Sequence, residues 1–436
     1  MISELVGRSA DIVTIAALLA LLVLGGRMSQ TAILHLRHRR AGVAREQLAL
    51  AQPLPPDAEL PAILVQIPAY NEGTLVERVV AAAAALDWPR NRLQIQLIDQ
   101  STGESAEIAR ATAAKFREQG HDVVPIWRPD RAGFKAGSLK AGLDITEQPF
   151  IANFDVDYVP APDFLRRCMR PLLADTTLAF VQARCDFLNA RQNLVTMAQQ
   201  VILESHSAGE QATRSWAGQF LPYNGTCGIW RRAAIEDADG WQFDTLAEDL
   251  DLSLRAQVKG WRAMFLLSVA VPGELPDTLA SWGRQQSRWN KGFAQTARKL
   301  LPMVWRGNLP LSRKFGISLH LGECAHGPLE LLVGAAGIVD WLLGTMTYAV
   351  VAPLLLLSML QGAADAIVLS TVSAALLQHP GARSSGKTRF ALTVYTMLMH
   401  MRAGALTTRA VVEGVLGRAS SFERTPKHAA GLRSEN

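Results

Sequence analysis

Short apolar segments alternate with amphipathic segments between residues 62 and 158 of this 436-residue chain. Residues 62–68, 92–98 and 123–127 are predicted strands, with predicted helices at 74–86 and 104–119. Helical connections between successive strands favour a doubly wound, mostly parallel sheet, so the predicted fold class is α/β. Such sheets bind ligands at the carboxyl ends of their strands. Glu72 and Asp99 follow the first two strands, so both are candidate binding residues.

A pair of carboxylates, Asp155 and Asp157, follows the next apolar segment. Because the side chains of a strand alternate with a period of two, both carboxylates are predicted to lie on the same side of the strand end. Two carboxylates in that position suit a divalent cation that holds a diphosphate. A solvated turn ended by Pro160 is the alternative, because Asp favours turns.

Two further segments offer groups for an anionic ligand. Residues 128–138 combine cations, among them Lys135, with glycines close to a helix start, although an ordinary basic loop would have the same composition. The small residues Asn224, Gly225 and Thr226 permit close approach of a ligand to the backbone.

Two clusters later in the chain carry chemical groups of other kinds. Glu248 and Asp249 stand at the head of an amphipathic helix, where capping and dipole compensation alone would also explain acidic side chains. Arg288 offers a planar fork for phosphate, and Trp289 offers a flat apolar face. A buried Trp beside a surface Arg is the alternative for that pair.

Apolar runs mark the two ends of the chain, in which 49% of residues are hydrophobic and 19% are charged. Residues 10–26 form a run followed by basic residues, which predicts a signal anchor with the next segment in the cytosol. Further runs at about 328–345, 346–361, 364–378 and 390–407 predict two or four more spans. The expected location is the inner or plasma membrane, multi-pass, with a cytosolic catalytic domain. The predicted division is 1–50 (anchor and basic flank), 51–310 (soluble domain), 311–420 (interfacial and transmembrane helices) and 421–436 (cytosolic tail).

Several classes of protein are disfavoured by the composition and motifs. The net charge of +5 does not come from a tract in which Lys and Arg alternate with aromatics, so lipid and nucleotide phosphates explain it better than nucleic acid. No Rossmann or Walker motif is present. The four cysteines lack paired or metal-ligand spacing, which fits a reducing compartment.

Six motifs, in this order, resemble those of processive family 2 glycosyltransferases of the cellulose synthase superfamily. They are residues 67–72 (IPAYNE), 99–102 (DQST), 135–137 (KAG), 155–157 (DVD), 248–249 (ED) and 285–289 (QQSRW). Residues 181–184, 224–226, 259–261 and 422–427 are similar to the cellulose synthase-like A and C branch, which makes β-mannan, glucomannan or β-glucan. The resemblance implies a GT-A-like domain that uses GDP-mannose or UDP-glucose.

The resemblance also implies a role for each matching residue. Tyr70, Glu72, Asp99 and Lys135 would hold the nucleotide sugar, and Asp155 and Asp157 would bind Mg²⁺ or Mn²⁺ on its diphosphate. Asp249, next to Glu248, would be the general base for an inverting transfer. The acceptor and diphosphate would contact Asn224, Gly225, Thr226, Gln285, Gln286, Arg288 and Trp289.

Three positions depart from the family pattern: Gln100 replaces a second Asp, Ala247 replaces a Thr, and Ala69 replaces a larger residue. They leave the nucleotide open. A processive glycan synthase, a non-processive enzyme with a lipid-linked acceptor and an inactive membrane scaffold are the three hypotheses. A homo-oligomer is also left open.

Overall fold

The computed structural model describes residues 2–343, 351–364 and 386–418. The chain divides into two compact units. The sheet unit contains residues 39–196 and 214–277. The helical unit contains the described residues of 1–38, 197–213 and 278–420.

A seven-stranded sheet forms the centre of the sheet unit, in the order β3-β2-β1-β4-β6-β5-β7. The strands are β1 (Ile63–Ala69), β2 (Leu93–Asp99), β3 (Asp122–Trp127), β4 (Phe150–Asn153), β5 (Leu178–Phe187), β6 (Gly228–Arg231) and β7 (Arg262–Gly273). Neighbouring strands run parallel except that β6 is antiparallel to both β4 and β5. The predicted mostly parallel α/β sheet is therefore confirmed.

Fourteen α-helices lie within the described residues. They are α1 (Ile2–Leu50), α2 (Leu75–Ala84), α3 (Gly103–Glu118), α4 (Phe134–Leu143), α5 (Phe164–Ala174), α6 (Leu194–Glu204), α7 (Ala212–Trp216), α8 (Arg232–Asp237), α9 (Glu248–Val258), α10 (Leu279–Arg306), α11 (Leu311–Leu321), α12 (His326–Leu343), α13 (Val351–Ala364) and α14 (Gly386–Val415). A π-helix, Ser205–Gln211, joins α6 to α7.

The core of the sheet unit lies between the sheet and its helices. Val65 and Ile67 of β1 are fully buried in one apolar cluster with Val79 and Val80 of α2. Each such side chain contributes roughly 1.5–3 kcal/mol by leaving water. The register places Ala69 of β1 beside Asp99 of β2, so the carboxyl ends of the two strands are level.

One local expectation differs from the structure. β4 ends at Asn153, so Asp155 and Asp157 lie in the turn beyond the strand, where its two-residue alternation no longer applies. The basic residues after Arg27 continue helix α1 to Leu50. No proline interrupts the chain before Pro53, and Ala, Leu, Arg and Gln favour the helix.

The helical unit contains α10 to α14 and the first part of α1. Helices α10 and α14 pack closely, since a Cβ on Gly414 would lie 2.8 Å from the Cβ of Ala294. The Nζ of Lys291 joins the same two helices by pairing with Glu413 at 2.9 Å.

Two helical segments, Val6–Leu50 and Leu311–Leu343, are long and apolar enough to cross a membrane by length and composition alone. Large apolar side chains such as Trp341 and Leu342 are exposed. The predicted run at 364–378 lies almost wholly outside the described residues, as does the tail at 421–436.

Candidate active site

The carboxylate of Asp99 ends β2 with one oxygen satisfied and one not. Its Oδ1 accepts hydrogen bonds from the Ser101 backbone N–H (3.1 Å) and hydroxyl (2.5 Å). Its Oδ2 is buried and has no hydrogen-bond donor among the described residues. Burial raises the pKa of Asp99 even though the Ser101 hydrogen bonds lower it. A buried acceptor of this kind favours an N–H donor from a ligand.

Tyr70 and Glu72 follow β1 in the turn beside Asp99. The guanidinium carbon of Arg131 lies 3.7 Å from the centre of the Tyr70 ring, which is cation–π geometry. Arg131 comes from the loop between β3 and α4, and the backbone N–H of Arg128 in that loop donates to the Asp99 carbonyl at 2.8 Å. The loop between β3 and α4 therefore contacts both the end of β2 and the Tyr70 ring.

Lys135, in the first turn of α4, lies among carboxylates. Its Nζ is 2.6 Å from Asp155 Oδ1 and 3.9 Å from Glu248 Oε1, and it donates to the Gly225 carbonyl at 3.1 Å. Burial would lower the pKa of Lys135, but the charges of Asp155 and Glu248 outweigh burial and raise it. A permanent cation at a helix N-terminus suits a diphosphate.

The two aspartates of the predicted metal pair have different environments. The Asp155 side chain is 35% exposed, so it can reach a ligand. Asp157 is buried, and its Oδ2 accepts from the Glu274 N–H at 3.4 Å. Arg78 holds this arrangement by pairing with Glu274 Oε1 at 2.8 Å and donating to the Asp157 carbonyl at 3.1 Å. Carboxylate oxygens are hard donors, so the pair fits Mg²⁺ or Mn²⁺.

Asp249 lies in the first turn of α9 with its Oδ1 accepting from the Leu250 N–H at 2.8 Å. Burial of the carboxyl, reinforced by the charge of Glu248, raises the pKa of Asp249 to about 7, against the opposing effect of Lys135. A carboxylate with that pKa accepts a proton efficiently near neutral pH.

The absence of a side chain at Gly225 allows the Asp249 carboxylate to lie close to the backbone of residue 225. A Cβ at Gly225 would lie 2.8 Å from Asp249 Oδ2 and 3.2 Å from Lys135 Nζ, and its φ of +77° also favours glycine. The structure thus brings together Lys135, Asp155, Gly225 and Glu248 around Asp249.

The predicted acceptor residues belong to both units. Asn224, Gly225 and Thr226 precede β6 in the sheet unit. The other four lie on α10 of the helical unit, where Trp289 is 38% exposed; they are Gln285, Gln286, Arg288 and Trp289.

The segment that carries these residues matches a known protein family. The model of the family described as glycosyltransferase-like family 2 matches residues 61–292. The chain belongs to this family. The match contains every site motif described above.

Named relatives of this family 2 chain are plant enzymes. It is 38% identical over 264 residues to glucomannan 4-beta-mannosyltransferase 1 of Oryza sativa subsp. japonica, covering 58% of this chain and 51% of the relative. It is also 38% identical over 264 residues to glucomannan 4-beta-mannosyltransferase 2 of Arabidopsis thaliana, covering 58% and 49%. The chain therefore spans about half the length of the curated relatives it matches.

A solved structure shows the same fold. A mannosyltransferase from Pyrobaculum calidifontis, in complex with GDP-mannose and Mn²⁺, superimposes with a TM-score of 0.58 at 20% identity. The superposition covers 90% of this chain and 100% of the other.

Sequence reasoning missed three residues of this family 2 site. Arg131, Arg78 and Gln182 reach the site through contacts made by distant parts of the chain. Arg131 lies within the basic segment 128–138 and Gln182 within the branch-specific residues 181–184, so both carried a sequence signal, whereas Arg78 carried none.

Proposed function

We propose that this chain is a membrane-bound inverting glycosyltransferase that moves mannose from GDP-mannose to the end of a β-linked mannan or glucomannan. The observation that carries the proposal is the half-buried Asp249, with a pKa of about 7, beside the Lys135–Asp155 pair. The names of the plant relatives support mannose, and the ligand of the archaeal structure agrees with it.

Donor binding would depend on the strand ends. Asp99 Oδ2 would accept a hydrogen bond from an N–H of the base, and Tyr70 and Glu72 would complete the base and ribose site. Lys135, at the N-terminus of α4, would exchange its pairing with Asp155 for one with the diphosphate of the donor. Asp155 and Asp157 would hold Mg²⁺ or Mn²⁺, which when bound supplies positive charge to the leaving group.

Transfer would then depend on Asp249 as the base. Asp249 Oδ2 would take the proton of the acceptor hydroxyl while that oxygen attacks the anomeric carbon in line with the departing diphosphate. The α-linked sugar of the donor becomes a β-glycoside, because attack comes from the opposite face. Gln285, Gln286, Arg288 and Trp289 are proposed to bind the acceptor and diphosphate.

The proposed setting is a plasma or inner membrane crossed by the apolar segments, with the sheet unit in the cytosol. Val6–Leu50 and Leu311–Leu343 have the required length and composition. The excess of basic residues after the first apolar run supports a cytosolic position for the sheet unit.

Donor turnover tests the function. Purified protein in detergent with Mn²⁺ or Mg²⁺ is given GDP-mannose, GDP-glucose, UDP-glucose or UDP-N-acetylglucosamine, with a β-mannan oligosaccharide, and released nucleotide is measured. We expect release from GDP-mannose and a product that a β-1,4-mannanase digests. Asp249→Asn should abolish release, and Asp144→Asn, an exposed aspartate paired with Lys140, should not.

Other outcomes would change the conclusion. Release from UDP-glucose alone would move the donor to glucose. A short product on lipid only would make the enzyme non-processive. Nucleotide binding without release from any donor would favour an inactive scaffold.

A further inference from the structure

A fully buried glutamine of β5, Gln182, is hydrogen-bonded through both ends of its amide. Its Oε1 accepts from the Asn224 N–H at 3.0 Å. Its Nε2 donates to the carbonyls of Thr226 (2.9 Å), Cys227 (3.2 Å) and its neighbour Ala183 (2.8 Å). One side chain thus binds the backbone on both sides of Gly225 in the irregular segment before β6.

The segment 224–226, here called the acceptor loop, touches three of the proposed active-site groups. The Gly225 carbonyl accepts from Lys135 Nζ at 3.1 Å, and the Thr226 hydroxyl accepts from the Asp155 N–H at 3.0 Å. The Gly225 Cα is packed so close to Asp249 that a Cβ would lie 2.8 Å from its Oδ2. A shift of this loop would therefore move Lys135, Asp155 and Asp249 relative to one another.

Backbone pairing reaches Cys227, whose N–H donates to the Asn153 carbonyl and whose carbonyl accepts from the Ala183 N–H, both at 2.9 Å. The backbone of residues 224–226 is bonded to the side chains of Gln182 and Lys135. The β5–β6 ladder ends at the pair Gln182 and Gly228. Gly225 and Cys227 both have positive φ, +77° and +59°, and the left-handed conformation is unfavourable for a residue such as Cys227. Because the Gln182 amide has both an acceptor and a donor, it bonds the Asn224 N–H and the Thr226 carbonyl on either side of Gly225.

We propose that Gln182 is a positioning residue of the transfer reaction, which fixes the acceptor loop and through it the spacing of Lys135, Asp155 and Asp249. The inference rests on the proposed function. It predicts a fall in kcat that exceeds the rise in the Kd of GDP. Asp99 and Tyr70, the proposed base contacts, bond to Ser101 and Arg131, whereas all three groups that the loop positions, Lys135, Asp155 and Asp249, take part in the transfer.

Three variants test the role. Gln182→Leu removes every bond to the loop, and Gln182→Glu keeps an acceptor for the Asn224 N–H but loses the donors to the carbonyls. Gln96→Leu is the matched control. Gln96 is also fully buried in the sheet and donates to the Gly142 carbonyl at 2.9 Å, at the end of α4 away from Lys135.

The measurements are kcat and KM for GDP-mannose and for the mannan acceptor, together with the Kd of GDP and Mn²⁺, all per folded molecule. For Gln182→Leu we expect kcat to fall about 10- to 100-fold, as for a misplacement of about 1 Å in a catalytic group. We expect the Kd of GDP to rise by a smaller factor than kcat falls, because the proposed base contacts at Asp99 and Tyr70 are kept even though the proposed diphosphate contacts Lys135 and Asp155 touch the loop. The kcat of Gln182→Glu should lie between those of the wild type and Gln182→Leu, and the kcat of Gln96→Leu should stay near the wild-type value.

Hydrogen exchange at the amides of residues 224–227 is the second readout. The Asn224 amide should lose protection in Gln182→Leu and keep it in Gln96→Leu. Wild-type kcat in Gln182→Leu, or unchanged exchange of that amide, would overturn the inference. If the wild type releases no nucleotide from any donor, the proposed function fails, and the exchange result still decides whether Gln182 holds the loop.

Discussion

Each of the two units contains a cation packed among carboxylates, and the two clusters differ in how fully their charge is balanced. In the sheet unit, Lys135 faces Asp155, Glu248 and Asp249. In the helical unit, Arg27 pairs with Glu210 at 2.8 Å and with Glu323, and His320 lies 3.0 Å from Glu323. The first cluster has one cation for three acids, whereas in the second two acids share one arginine and also contact two histidines, His206 and His320.

The excess of acids over cations favours the Lys135 cluster, and not the Arg27 cluster, as the one that binds a ligand. The Asp155 side chain is 35% exposed, and excess negative charge there would be balanced by a divalent cation. Glu210, His320 and Glu323 also lie close enough together to share a metal. However, the Arg27 guanidinium already pairs with both carboxylates, so we interpret that cluster as structural.

The largest expected effect on kcat comes from substituting Asp249 of α9, and a second aspartate of the same helix, Asp251, provides the comparison. Asp249→Asn removes the proposed base, so kcat should fall about 100- to 10,000-fold with the Kd of GDP little changed. Asp251 instead pairs with Arg255 at 2.6 Å and is fully buried. Asp251→Asn should lower the free energy of unfolding by about 3–5 kcal/mol but spare kcat per folded molecule. Equal loss of kcat in both variants would contradict the assignment of the base.

Arg27 tests the structural cluster. Arg27→Met removes the guanidinium that Glu210 and Glu323 share, so we expect a loss of about 3–5 kcal/mol in stability, measured by unfolding in detergent. Arg8→Met, on the exposed side of the same helix, is the control and should change little. A metal bound in the cluster would instead make stability depend on a chelator, and an Arg27→Met protein that a chelator destabilises would argue against the structural interpretation.

Gly225 tests how tightly the active-site cluster is packed. Gly225→Ala places a Cβ 2.8 Å from Asp249 Oδ2 at a φ of +77°, so kcat should fall about 10- to 100-fold. Gly218→Ala is the matched control, because its φ is +65° but nothing lies within 4 Å of its Cβ. Similar loss of kcat in both variants would mean that backbone strain, and not contact with Asp249, limits the position.

The Lys135 cluster was easier to predict from the sequence than the Arg27 cluster. The alternation of strands and helices predicted that Asp99 would lie at a strand end, and local order placed Lys135 at a helix start. Helical pattern and charge alone could not separate Glu248 from Asp251, since both are acidic in one helical turn, and only the family resemblance selected residues 248–249. The structure places Glu248 3.9 Å from Lys135 and Asp251 against Arg255.

Two other contacts depend on the tertiary fold. Gln182 meets Asn224 only because antiparallel β6 returns beside β5, and no local periodicity predicts that reversal. Arg131 meets Tyr70 from a different strand connection. The Arg27 cluster likewise joins α1 to residues far along the chain. Residues whose partners are distant in sequence are those that sequence patterns leave unassigned.

The pH dependence of kcat/KM should report the protonation of Asp249 in the Lys135 cluster. Because a base must be deprotonated, kcat/KM should fall about tenfold per pH unit below a pKa of about 7 and level off above it. The folded state holds this proton more tightly than the unfolded chain. The carboxyl's contribution to stability is therefore present at low pH and lost as pH rises through about 7. A rate that stays flat down to a pH of about 5 would remove Asp249 as the titrating base.

The smallest expected effect concerns the Arg131–Tyr70 pair. The guanidinium lies 3.7 Å from the ring centre, and cation–π contacts contribute about 0.5–2 kcal/mol, so Arg131→Ala should weaken GDP binding about 2- to 30-fold. Lys115→Ala is the control, because Lys115 lies 5.8 Å from the Phe116 ring, and it should leave the Kd of GDP unchanged. The loss should appear in Kd, with kcat at saturating donor nearly constant, since Arg131 lies on the Tyr70 side of the site and Asp249 is held by Gly225 and α9. A fall in kcat with Kd unchanged would instead place Arg131 among the groups that act on the diphosphate.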